Sequence, residues 1–147
     1  KGSLLKKDIS LINLNNQTEN KNVAVFEGFM DALSFVEMKP FFNGDLLVMN
    51  SISLLNKTKD HLKNYSEIHL FLDNDKAGET CKTSILKSFP EAKNHSEIYA
   101  LHKDLNEYFV FRNNTKIEKQ QQVELNPKQE QEESEINQAH QTFRRNR

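Results

Sequence analysis

Glu67-Ile68-His69-Leu70-Phe71-Leu72-Asp73-Asn74-Asp75-Lys76-Ala77-Gly78 is the stretch that decides the fold class of this chain. Its first six residues form the most strand-like run in the sequence. Asp73-Asn74-Asp75 ends that run, and from Lys76 to Phe89 the period changes. Ala77, Cys81, Ile85 and Phe89 recur every four residues with polar residues between them, as on the inner face of a helix. Pro90 closes the helix, because proline has no N–H to continue the hydrogen-bond ladder. A strand that runs straight into a helix is half of a βα unit, not of a hairpin.

The same alternation extends on both sides. Asn22-Val-Ala-Val-Phe26 is a short apolar strand that stops at Glu27-Gly28, and the helix after it places Phe29, Leu33 and Val36 on one face before Pro40. Asp45-Leu-Leu-Val-Met49 is apolar throughout, as expected of a parallel strand covered on both faces. It gives way to Asn50-Ser51-Ile52-Ser53 and a helix from Leu54 to Lys63. Beyond Pro90, Ser96–Leu101 reads as a fourth strand and Asp104–Arg112 as a last helix. The expectation is an α/β fold, with a central, mostly parallel sheet of about four strands and helices on both faces.

This places a domain over residues 22–112. Ahead of it, residues 1–21 are an edge strand or the remnant of an upstream domain: Asp8–Leu14 alternates apolar with polar, and Asn15–Asn20 reads as a loop. Behind it, 113–147 is too polar to bury a core and reads as a disordered or helical tail. The chain begins at Lys1, not Met, and is expected to be a piece of a longer protein.

Composition excludes several function classes. A formal net charge of −1 provides no basic field, and the balance holds locally, with six basic and six acidic residues in 116–147. The closing Arg144-Arg145-Asn-Arg147 is read as a solvated terminus. One cysteine, Cys81, excludes an internal disulfide and any zinc site built on a cysteine pair, and its place on the helical stripe assigns it to packing. No apolar run approaches the ~20 residues of a membrane span. A reducing cytoplasm is the expected location. The five histidines show neither paired spacing nor a nucleophile motif.

The chemistry-bearing residues gather at strand ends. Glu27, Asp73, Asp75 and Asp104 all follow expected strands, where open α/β sheets bind their ligands. Each acidic residue has an alternative role as a helix cap, Asp75 and Asp104 above all. Four at one rim point instead to a site that holds a hard divalent cation on oxygen ligands. In extended backbone Asp73 and Asp75 point the same way, with Asn74 facing elsewhere. Gly28 and Gly78 lack a Cβ and permit close approach of a phosphate or a neighbouring chain. Ser51 and Ser53 are assigned to loop capping.

Three ordered motifs then carry a resemblance: Glu27-Gly28 with Asp31, Asp73-x-Asp75-x-Ala77-Gly78, and Lys103-Asp104-x-Asn106-Glu107 resemble those of the Toprim domain, in particular its bacterial-primase branch, over about Val23 to Phe111. Toprim domains occur in primases, type IA and II topoisomerases, some nucleases and recombination proteins. The resemblance implies a Rossmann-like Toprim fold and Mg²⁺- or Mn²⁺-dependent nucleotidyl transfer, with RNA primer synthesis on single-stranded DNA from nucleoside triphosphates. Glu27 would be the general acid or base and a metal ligand, with Asp73 and Asp75 as catalytic metal ligands. Asp31 would steady the site, Lys103 meet a nucleotide phosphate, Asp104 support the metal, and Asn106 and Glu107 fix the last helix. Helicase or other replication proteins are the implied partners. Two positions depart from the primase pattern: Asn74 stands where primases commonly have Gly, and Asn50-Ser51-Ile52-Ser53 where they usually show Gly-Thr.

Other readings use the same residues. Toprim-type DNA strand chemistry, as in nucleases and topoisomerases, is one, and a non-catalytic DNA- or protein-binding Toprim module is another. Phosphate hydrolysis by a dehalogenase-like or receiver-like domain also uses an Asp-x-Asp pair, but wants its key aspartate after the first strand, where this chain has Glu27.

Overall fold

The structure, a computed structural model, describes residues 7–14 and 21–120. The expected loop at 15–20, residues 121–147 of the expected tail, His140 and the closing arginines lie outside the described residues. The chain divides into two compact units, Lys1–Phe109 and Val110–Arg147. The described part of the second, 110–120, is helical.

The first unit is a five-stranded sheet with helices on both faces. Strands β1 (Ser10–Asn13), β2 (Asn22–Phe26), β3 (Asp45–Val48), β4 (Glu67–Phe71) and β5 (Lys93–Asn94) lie in the order β1-β3-β2-β4-β5. β1 is antiparallel to β3, and every other pairing is parallel. Helices α1 (Phe29–Met38), α2 (Leu55–Leu62) and α3 (Lys76–Ser88) supply the crossovers, and α4 begins at residue 105. No helix among the described residues is long and apolar enough to cross a membrane.

β2 sits at the centre, and its period-two alternation divides the core. Val23 and Val25 face a cluster with Leu47, Leu70, Cys81 and Ile85 on the α2/α3 side. Ala24 and Phe26 face a second cluster with Phe35, Val48, Phe71, Tyr99 and Leu105 on the α1 side. Because both faces are covered, Val23 to Phe26 are fully buried, and the strand reads as a continuous apolar run. Cys81 is buried in the first cluster, and burial, reinforced by the charges of Glu27 and Asp75, pushes its thiol up to about 11, which fits packing and not reactivity.

One expected strand is displaced. The edge strand is Lys93–Asn94, whereas Ser96–Tyr99 is a 3₁₀ turn. Asn94 Oδ1 accepts from the Ser96 N–H at 3.2 Å and turns the chain, and the buried Tyr99 hydroxyl donates to the Leu72 carbonyl at 2.9 Å. Those bonds replace the ladder an extended segment would make.

The loop after β3 is also built by an amide. Asn50 adopts φ 59, a left-handed conformation that asparagine tolerates. Its side chain donates to the Asp8 carbonyl and Ser10 Oγ, tying β1 to this loop, and its N–H donates to the Glu27 carbonyl at 3.0 Å. Ser51 caps the short 3₁₀ turn at Ile52–Leu54.

Candidate metal centre

Register brings the acidic residues together. Phe26 of β2 pairs with Phe71 of β4, so Glu27 and Asp73, just beyond the two strand ends, share one rim of the sheet. Glu27 Oε1 accepts from the Asp73 N–H at 3.2 Å. Gly78 in the first turn of α3 makes this approach possible: a Cβ there would lie 2.6 Å from Glu27 Oε1 and collide with the Asp73 carbonyl.

Asp75 caps α3, its Oδ1 accepting from the Ala77 and Gly78 N–H groups at 2.8 and 2.9 Å. The capping role and the rim position therefore coexist, with Oδ2 left over from the cap. Asp31, 6% exposed on α1, accepts from the Asn106 N–H at 3.1 Å, and Ser34 Oγ donates to Asn106 Oδ1 at 3.0 Å. Asn106 thereby locks the start of α4 onto α1. Asp104 caps α4 through the Glu107 N–H, and Glu107 reaches back to the Lys103 N–H, a variant of the capping box. Gly28 is the N-cap of α1, and a Cβ there would stand 3.3 Å from Asp31 Oδ2.

Lys103 is the cation of the group, with Nζ 3.7 Å from Asp73 Oδ2. Its placement depends on Asn74, whose N–H donates to the Lys103 carbonyl at 2.7 Å. The Asn74 amide also donates to the carbonyls of Ser96, Tyr99 and His102 at 3.4, 2.9 and 3.0 Å. The residue between the two aspartates thus faces away from the rim and anchors the segment that carries Lys103 and Asp104. The sequence signal for this role was the amide itself, out of place where the resembling family has Gly. Tyr99, read as a strand residue, belongs to the same anchor.

Burial and mutual repulsion leave the rim short of positive charge. Burial, with the charge of Asp73 next, pushes Glu27 up to about 7 against the hydrogen bond from the Asp73 N–H. Asp73 is pushed up to about 6 by burial and by the charges of Asp31 and Asp104, with Lys103 opposing. Burial also raises Asp31, offset by the bond from Asn106. Among the described residues no three His, Cys, Asp or Glu side chains close into a metal cluster. The donor set is all oxygen, and its repulsion is what a divalent cation would relieve. Oxygen donors of this kind are the type that hard cations such as Mg²⁺ and Mn²⁺ prefer. A cleft of about 510 Å³ opens beside Asp75, lined by Asn74, Lys76, Lys82 and Ser96 among others.

Residues 24–109 match the Toprim-like family model. Among solved structures, the chain is similar to the primase fragment of the bacteriophage T7 primase-helicase protein, at 19% identity and TM-score 0.52, over 71% of this chain and 45% of that one. It is also similar to a chain of the bacteriophage T7 lagging-strand DNA polymerase structure, in which the polymerase interacts with primase domains bound to an RNA/DNA hybrid and dTTP, at 21% identity and TM-score 0.53, over 71% and 55%. A small Toprim domain protein from Bacillus stearothermophilus matches at 19% identity and TM-score 0.42, over 65% and 87%. The chain spans about half the length of the T7 chains it matches. No curated protein matches the sequence.

Proposed function

The chain belongs to the Toprim-like family, and from that premise we propose that it is the catalytic Toprim domain of a DNA primase-like protein, performing nucleotidyl transfer for RNA primer synthesis on single-stranded DNA. The observation that supports this reading best is the contact of Glu27 with Asp73 at the carboxyl rim of the sheet, with Asp75 and Lys103 beside it.

In that reaction a 3′-hydroxyl oxygen forms a bond to the α-phosphorus of a nucleoside triphosphate, pyrophosphate departs, and the hydroxyl proton needs an acceptor. Glu27, pushed up to about 7, is matched to that task near neutral pH. Asp73 and Asp75 would hold Mg²⁺ or Mn²⁺ with Glu27. Such an ion supplies charge neutralisation and Lewis acidity at the phosphates. Lys103, whose side chain is 62% exposed, can exchange Asp73 for a nucleotide phosphate. Asp31 acts through Asn106, fixing α4 and thereby Asp104. Gly28 leaves the start of α1 open to a phosphate, and Gly78 preserves the approach of Glu27 to Asp73.

The proposed partners are a single-stranded DNA template, nucleoside triphosphates and, by analogy with the T7 assembly, helicase or other replication proteins, in the cytoplasm. Calorimetric titration with Mn²⁺ is expected to show binding that Asp73→Ala and Asp75→Ala each weaken, and primer synthesis by the intact protein is expected to be lost on Glu27→Gln. Binding unchanged in both aspartate variants would overturn the metal site. Synthesis surviving Glu27→Gln would remove the role given to Glu27, and DNA cleavage in place of synthesis would favour Toprim strand chemistry.

A further inference from the structure

A second cavity, of about 500 Å³, lies on the α1 side of the sheet and contains none of the acidic rim residues. Its floor is aromatic, formed by Phe35, Phe42 and Phe71 with the imidazoles of His69 and His95. The Phe71 and His95 rings are nearly parallel, 12° apart with centroids at 4.7 Å, and His69 lies at 21° and 5.2 Å from His95. His69 Nδ1 and His95 Nε2 are 2.9 Å apart, so one ring donates and the other accepts, and at least one is neutral. Burial holds both histidines below their ordinary value.

The walls are unusually wet for apolar groups. Phe41 is 97% exposed and Ile98 54%, and exposed Lys39 completes the lining. Lys39 is the charged residue of the lining; behind it Lys93 pairs with Glu67 at 3.3 Å, and Glu67 Oε2 lies 3.6 Å from His69 Nε2, so those two charges largely answer each other. The cavity thus combines flat aromatic surface, one polar imidazole edge at His95 Nδ1, the ring nitrogen outside the His69–His95 pair, and an ammonium at its exposed side. An apolar peptide side chain would use only the first of these. A nucleotide uses all three, through ring stacking, base-edge hydrogen bonds and a phosphate on the cation.

We propose that this cavity binds a nucleotide, its base against Phe41 and the Phe71–His95 stack and its phosphate on Lys39. Phe71 is the cavity residue nearest the rim along the chain, two positions before Asp73, but its ring lies on the α1 face of the sheet and no acidic rim residue lines the cavity, so this site is distinct from the acidic rim. It does not depend on the nucleotidyl-transfer reading.

The test follows the imidazole resonances of His69 and His95 by NMR in the whole chain, with EDTA present, on addition of AMP or a short oligo(dA). Both ring signals are expected to shift saturably, and Phe41→Ala and Lys39→Glu, at exposed positions that leave packing intact, are each expected to weaken binding about fivefold or more. Tighter binding of oligo(dA) than of AMP would identify a strand as the source, and equal binding a free nucleotide, either outcome upholding the site. The proposal falls if neither probe shifts the rings, if shifts need Mn²⁺, or if N-acetyl-tryptophanamide shifts them and AMP does not. None of these results would touch Mn²⁺ binding at the rim.

Discussion

Glu27 Oε1 accepts a hydrogen bond from the backbone N–H of Asp73 at 3.2 Å, across 46 positions of chain. The parallel pairing of Phe26 with Phe71 imposes that contact, and the missing Cβ of Gly78 permits it. The two acids consequently share a partly dry rim, where burial raises both and the charge of Asp73 further opposes ionisation of Glu27.

Stability should therefore depend on pH in a definite direction. Glu27 rises from an ordinary 4.5 to about 7 and Asp73 from 3.8 to about 6 in the folded chain. The folded state holds these protons more tightly than the unfolded one. Their stabilising contribution is thus complete in acid, below the ordinary carboxylate values, and is lost as pH rises through about 6 and then about 7. Thermal melts in EDTA are expected to show this part of the stability falling toward alkaline pH, with a flatter profile for Glu27→Gln. Superimposable profiles for the two proteins would rule out the coupling.

Cation binding should run the opposite way. A divalent ion competes with the protons on Glu27 and Asp73, so Mn²⁺ affinity is expected to rise as the solution passes from about pH 6 to about pH 8, with proton release that shrinks as the acids ionise. Calorimetry in buffers of different ionisation enthalpy counts the released protons. A pH-independent affinity would argue that the ion sits elsewhere.

Gly78→Ala sets two effects against each other. Alanine favours a helical position by ~1 kcal/mol, yet its methyl would meet the backbone carbonyl of Asp73 as well as Glu27 Oε1. A backbone atom cannot swing aside, so the clash should dominate, with a net destabilisation of ~1–3 kcal/mol in urea unfolding and weakened Mn²⁺ binding. A neutral or stabilising result would show that the rim is looser than this contact implies.

Asn74→Gly would install the residue common in the resembling primases, and here it should be harmful. It deletes the amide that donates to Ser96, Tyr99 and His102 and leaves their carbonyls without that partner, at a cost of ~1–3 kcal/mol. Hydrogen exchange is expected to accelerate over residues 96–103, and Mn²⁺ binding to weaken less than with Asp73→Ala. Unchanged exchange there would mean that the 3₁₀ turn holds itself.

Most of the βα alternation was legible because its causes are local. The four-residue recurrence of Ala77, Cys81, Ile85 and Phe89, and the continuous apolar runs before Glu27 and Asp73, encode helix and buried strand in short windows. The segment 96–101 misled because its apolar residues suit a strand, while its conformation is set by the amides of Asn94 and Asn74 and by the inward hydroxyl of Tyr99, all long-range or side-chain effects. Likewise the Asn106 lock on Asp31 joins residues 75 positions apart and leaves no periodic trace.

By itself the sequence determined that Glu27, Asp73 and Asp75 follow strands and that those strands alternate with helices, because hydrophobic period and helix capping act over one or two turns, whereas Asp104 follows a 3₁₀ turn and not the expected strand. The tertiary structure alone decided that β2 lies between β3 and β4, and therefore that Glu27 touches Asp73 while Asn74 turns away to hold the Lys103 segment. Strand order and register arise from packing two buried faces at once, and no local window of residues contains that competition.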